Sequence, residues 1–212
     1  MVPKNAFGGD KYLESEFKKL VKKYKIKNIV ETGTSKGDTT LAFSKMVDKV
    51  YTIEIKKEVY LTSKKRLSWE KNIQIFLGSS SDVLRKILPS LKGNTLFFLD
   101  AHWGNYWPIL DELKEISKVP YLKESIIVIH DFYVPGKDFG FDSYYHSNSS
   151  IELFLKKGIG FLGKIFKMNL TPKQRLDFSF IEPSIKKINP DYKHYYNSKA
   201  EGVKRGVIFI CP

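Results

Sequence analysis

The chain has 212 residues, 42% hydrophobic and 14% aromatic, which is enough to bury the core of one α/β domain over residues 1–212. It has no run of about eighteen apolar residues and no charged-then-apolar leader between Met1 and Asp10, so the expectation is a cytoplasmic protein with no membrane partner. A net charge of +13 favours acidic partners, yet only four of the 36 basic residues are arginines, which argues against a nucleic-acid reader built on guanidinium forks. From Ile151 onward, twelve basic residues stand against five acidic ones, a balance suited to an anionic small-molecule acceptor. The single cysteine, Cys211, can form no internal disulfide and reads as a core residue.

Leu13, Phe17, Leu20, Val21 and Tyr24 recur at helical spacing, so Lys11 to Tyr24 is an amphipathic helix closing an N-terminal region of residues 1–24. Short apolar runs then alternate with helical patterns. Strands are predicted over Asn28 to Glu31, Val50 to Ile55, Ile73 to Leu77, Thr95 to Asp100 and Ser125 to His130. The helices between them run over Thr39 to Val47, Glu58 to Trp69, Ser81 to Leu91 and Pro108 to Ser117. Continuous runs such as Leu96-Phe97-Phe98-Leu99 and Ile126-Ile127-Val128-Ile129 fit strands covered on both faces. The architecture expected is a Rossmann-like α/β fold with a doubly wound, mainly parallel sheet and a C-terminal antiparallel strand. Beyond Asp131 the pattern loosens. Residues 133–200 are read as a lid and substrate-binding region, with Phe139 to His146 as the lid and a helix at Ile151 to Lys157. Gly206 to Cys211 is the final strand, with Lys164 to Met168 or Leu176 to Ile181 as its partner.

In an open α/β sheet, ligands bind beyond the carboxyl ends of the strands, and polar residues directly after buried apolar runs are costly unless they bind something. At the first such end, Glu31 to Gly37 carries glycines at 33 and 37, without the dinucleotide or P-loop spacing. That turn brings backbone close to a ligand without cradling a pyrophosphate, and Glu31 offers a carboxylate to a cation or to hydroxyls. S-adenosylmethionine has both. Glu54 follows Gly33 by about twenty residues, the offset at which an acid reaches ribose hydroxyls. Gly78-Ser79-Ser80-Ser81-Asp82 suits an adenine edge, although helix capping alone would explain Ser81 and Asp82.

These residues resemble the class I S-adenosylmethionine-dependent methyltransferases over Lys25 to Phe132: Glu31 to Gly37 as the first motif, Glu54 as the ribose acid, and Leu99-Asp100 as the fourth motif. Leu99-Asp100-Ala101-His102-Trp103 and Ile129-His130-Asp131-Phe132 are most similar to small-molecule O-methyltransferases of the macrocin type, where Asp-Gly-Asp and Asp-Asp-Tyr follow the two strands. The resemblance implies an S-adenosylmethionine site at Glu31, Gly33, Thr34, Ser35, Gly37, Glu54, Gly78, Ser79, Ser80 and Asp100. It also implies methyl transfer to a hydroxyl of a sugar-like acceptor and a divalent metal at Asp100, His102, His130 and Asp131, with Asp100 also able to act as base. Histidines where the family has acids suit zinc, manganese or iron better than magnesium. Three alternatives stay open. His130 acts without metal as general base, at an imidazole pKa near 6.5. The acceptor is RNA or a nucleotide. Or the chain is a binding module that keeps the fold without the reaction. Trp103, Tyr106 and Trp107 are candidates to stack on the acceptor, with Trp107 also a candidate core residue.

Overall fold

The computed structural model describes residues 3–102, 107–144 and 174–212. Its strands are β1 (Asn28–Thr32), β2 (Lys49–Glu54), β3 (Ile73–Leu77), β4 (Thr95–Leu99), β5 (Ile126–Ile129), β6 (Ser143–Tyr144), β7 (Gln174–Arg175), β8 (Lys193–Tyr196) and β9 (Ile208–Cys211). The α-helices are α1 (Lys11–Lys23), α2 (Asp38–Ser44), α3 (Lys57–Leu67), α4 (Ser80–Ile87), α5 (Ile109–Ser117) and α6 (Phe178–Ile188). Among the described residues, seven strands form one sheet in the order β3-β2-β1-β4-β5-β9-β8, and β6 pairs with β7 apart from it. β1 to β5 pair in parallel, while β9 enters antiparallel to both β5 and β8. The expected doubly wound fold is therefore observed, with β1 and β4 adjacent at the point where strand order reverses.

Side-chain alternation along the strands divides the core in two. Val30, Phe97, Leu99 and Ile127 pack under α4, α5 and α6. Ile29, Phe98, Val128 and Phe209 face α1 and α2, where Phe17 meets Phe43 and Phe98 edge-on at 4.8 and 5.3 Å. α1 starts where Asp10 accepts the Leu13 N–H at 2.9 Å, a side-chain cap for an otherwise orphaned donor. Among the described residues, no helix is long and apolar enough to cross a membrane.

The C-terminal pairing corrects the sequence expectation. The partner of the final strand outside β5 is β8, and residues 178–181 lie instead in α6, whose first turn is capped by Asp177 accepting the Phe180 N–H at 3.2 Å. Residues 164–168 and the predicted helix at 151–157 lie outside the described residues. β8 escaped detection because Lys193, His194 and Tyr195 are exposed on an edge strand and form no apolar run. Within the segment read as a lid, Gly140 donates to Lys204 O at 2.8 Å and accepts from the Gly206 N–H at 2.9 Å, so residues 140–142 are tied to the chain leading into β9. Residues 145 and 146 lie outside the described residues.

Candidate active site

At the carboxyl ends of β1 to β4 a cavity of about 430 Å³ opens. Gly33, Ser35, Glu54, Gly78, Ser79, Ser80 and Asp100 all line it, so most of the residues expected to hold the cofactor converge there. Ile55 and Val59 add apolar wall. Gly33 has φ +89°, and a Cβ there would lie 2.9 Å from the Asp100 carbonyl oxygen, so only glycine lets the first turn pass this close to the end of β4. The turn is pinned by the N–H groups of Gly33 and Thr34, both donating to Ile53 O at 2.9 and 3.1 Å. Glu54 is buried, and its two carboxylate oxygens accept from the backbone N–H groups of Ser35 at 3.0 Å and Lys56 at 2.9 Å. These bonds fix the carboxylate in one orientation at the cavity wall.

Glu31, Thr34 and Gly37 do not line the cavity. The Glu31 carboxylate lies on the α2 side of the sheet, where it accepts hydrogen bonds from the hydroxyls of Thr40 and Thr52. Thr34 and Thr52 share a hydroxyl–hydroxyl bond of 2.7 Å, and Gly37, at φ +78°, is the N-cap position of α2. These residues hold the turn in shape. The capping explanation for Ser81 and Asp82 is also corrected: the N-cap position of α4 is Ser79, its hydroxyl bonds Ser81 at 3.1 Å, and no side chain caps the helix. Asp82 pairs with Arg85 at 3.2 Å on the surface.

Beyond the ends of β4 and β5 lies a cluster of charged side chains. His130 Nδ1 is 3.0 Å from an Asp100 oxygen and 3.1 Å from Asp131 Oδ1. Asp131 has φ +56°, a left-handed turn that folds its side chain back toward His130. Arg205 donates through Nε to Asp131 Oδ1 and through Nη2 to Asp142 Oδ1, the latter at 2.6 Å. His102 Nδ1 lies 3.6 Å from the second oxygen of both Asp131 and Asp142. Of the four residues expected to bind metal, Asp100, His102 and Asp131 bring donor atoms within 4.8 Å of one another; His130 falls outside that set. Trp107 packs edge-on against Phe180 at 5.7 Å, among the core residues, and residues 103 and 106 lie outside the described residues.

The electrostatics correct the metal-free reading of His130. Burial opposes charge on its ring, but Asp100 and Asp131 outweigh burial and raise the imidazole to about 10. At neutral pH it is a charged partner of two carboxylates and has no capacity to take up another proton. Burial likewise opposes the Asp131 carboxylate, yet His130 and Arg205 hold it well below the usual range.

Two carboxyls are pushed the other way. Burial raises Glu31 to about 8, against the opposing hydrogen bonds of Thr40 and Thr52. It raises Glu112 to about 7, against those of Ser80 and Thr32. Each stays protonated in the folded chain at a pH where the unfolded chain, at 4.5, has released its proton. The native state therefore binds more protons, and the stability present below pH 4.5 is lost as pH rises toward 8, by up to about 1.4 kcal/mol per pH unit and group. His130 acts in the same direction between 6.5 and about 10. Thermal unfolding followed by circular dichroism should show the melting temperature falling from pH 5.5 to pH 8. Glu31→Gln should flatten that fall, and an unchanged slope in this variant would contradict the assignment.

Sequence reasoning missed Arg205, Asp142 and Glu112. Arg205 carried one signal, being one of four arginines in a lysine-rich chain; nothing local marked the other two.

No family model matches the chain, and no curated protein matches its sequence. Solved structures do share the fold. A Klebsiella pneumoniae protein assigned to the O-methyltransferases superposes with a TM-score of 0.58 at 11% identity, covering 95% of this chain and 80% of that one. An O-methyltransferase from Bacillus cereus, in complex with SAH, gives 0.57 at 13% identity with the same coverage. An rRNA methylase from Streptococcus thermophilus gives 0.50 at 9% identity, covering 92% and 93%. At such identities the likeness establishes the Rossmann-like class I methyltransferase fold and leaves the chemistry to the residues.

Proposed function

We propose that the chain is an S-adenosylmethionine-dependent methyltransferase acting on a hydroxyl of a small, sugar-like acceptor. The observation that carries this reading is the Glu54 carboxylate, buried at the wall of the large cavity and oriented by the Ser35 and Lys56 amides. A fixed carboxylate at that place takes the two hydroxyls of an adenosine ribose. Gly33 leaves room for the methionyl end, and Gly78 to Ser80, which also line the cavity, suit the adenine. The SAH bound to the Bacillus cereus enzyme of the same fold supports the assignment. S-adenosylmethionine supplies a methyl group on a cationic sulfur.

Asp100 lines both the large cavity and a small one beside it, so cofactor and acceptor meet at this residue. In the transfer, the acceptor O–H releases its proton to the Asp100 carboxylate as the new O–C bond forms and the S–C bond breaks. The reaction needs chiefly alignment and exclusion of water, which the pinned turn and the buried strand ends provide. His130 holds Asp100 in place, and Arg205 with His130 balances the charge of Asp131 and Asp142.

The donor set fits a divalent cation. Asp131 Oδ1 is engaged by Arg205 and His130, but its Oδ2 faces His102, and Asp100 completes three converging donors. A cation held by Asp100, His102 and Asp131 would acidify the acceptor hydroxyl. Mixed imidazole and carboxylate donors favour manganese, iron or zinc. Treatment with EDTA should lower turnover by on the order of tenfold or more, with manganese restoring it better than magnesium; undiminished turnover after metal removal would eliminate the cation. The cofactor assignment is tested by calorimetric titration of the folded protein with S-adenosylmethionine and SAH, where absence of binding to both would refute it.

A further inference from the structure

The small cavity beside Asp100, about 20 Å³, is lined by Glu112 on α5. Glu112 is 1% exposed, and its Oε1 is the one buried side-chain polar atom among the described residues with no hydrogen-bonding partner. Thr32 and Ser80 lie beside the carboxyl and favour its charged form, yet no donor serves Oε1. A buried acceptor atom left unsatisfied costs roughly 1–3 kcal/mol, so the arrangement points to a donor that arrives from outside the chain. The cavity has room for about one water-sized group. Around it stand Asp100, Asp131 and Asp142, whose charge Arg205 and His130 only partly offset.

We infer that this cavity is the headgroup pocket for the methyl acceptor: a second hydrogen-bond donor of the acceptor, an uncharged hydroxyl or an amine, reaches past Asp100 and is received by Glu112 Oε1. The inference rests on the methyltransferase reading for the word acceptor, while the pocket itself follows from the cavity and the orphaned oxygen. Its chemical consequence is selective. In the metal-free pocket, phosphate and carboxylate groups would have to enter against Asp100, Asp131 and Asp142, so the headgroup received there is neutral or cationic despite the basic character of the chain as a whole. A donor at Glu112 and a reacting hydroxyl at Asp100 would fix the acceptor at two points, which selects one hydroxyl among several.

The test is an NMR titration of metal-free protein with methylammonium as the probe, read at the Trp107 indole N–H and the Glu112 backbone amide. Wild type should show saturable shifts at both positions, and Glu112→Gln should bind the probe about tenfold more weakly. Formate should produce no saturable shift. Saturation by formate, no saturable shift with methylammonium, or equal affinity in Glu112→Gln would overturn the pocket; the last outcome would place the probe at the aspartates alone. The wild-type titration decides even if the variant fails to fold. S-adenosylmethionine is titrated into the same samples: its failure to bind wild type would count against the methyltransferase reading, whereas loss of methylammonium binding with intact cofactor binding would count against the pocket.

Discussion

Glu54→Gln should weaken S-adenosylmethionine binding by roughly 10- to 100-fold, because the amide keeps one acceptor oxygen and loses one charge-assisted hydrogen bond worth roughly 1.5–3 kcal/mol. The substitution keeps the side-chain volume but turns one acceptor oxygen into an amide donor. One of the two backbone N–H groups that Glu54 now satisfies, from Ser35 or Lys56, would then face another N–H. Some of the loss therefore comes from the turn relaxing, and a melting curve separates the two contributions. Calorimetry on a variant with near wild-type stability and unchanged affinity would show that Glu54 does not contact the cofactor.

Gly33→Ala should destabilise the protein by about 2–4 kcal/mol and abolish cofactor binding at the same time. The cost has two sources. An alanine must adopt φ +89°, and its methyl group meets the Asp100 carbonyl oxygen at 2.9 Å, a backbone atom that cannot move without disturbing the end of β4. Urea denaturation measures the first effect. A variant as stable as wild type that still binds S-adenosylmethionine would mean that the two strand ends are not held as closely as the structure has them.

The lining of the large cavity was legible because a parallel sheet converts local information into position. Each short apolar run ends at the same edge, so the first polar residue after it, whether Glu54, Gly78 or Asp100, arrives beside its neighbours without any knowledge of distant contacts. The place of Glu31 off the cavity lining was also legible. Ile29 and Glu31 share a face, and Val30 and Thr32 share the opposite one, so the strand period alone sends Glu31 toward α2 and Thr32 toward α5. The acid cluster was legible only in part. Asp100, His102, His130 and Asp131 sit at strand ends, but Arg205 reaches Asp131 across 74 residues and Asp142 across 63, and no spacing rule carries information over such distances. The ordinary pKa assumed for His130 failed for the same reason, since it depends on the neighbours that tertiary structure supplies.

The position of Arg205 also sets an order of events during synthesis. It lies in the segment that leads into β9, and β9 is inserted between β5 and β8. A nascent chain that has emerged only as far as residue 200 already contains Glu54, Asp100, His130, Asp131 and Asp142 and all five parallel strands, but not β9. His130 is already there to pair with Asp131, but the guanidinium that holds both Asp131 and Asp142 is not. The charge balance around Asp131 and Asp142 is thereby coupled to the arrival of the closing strand, so a chain truncated before that point would lack it.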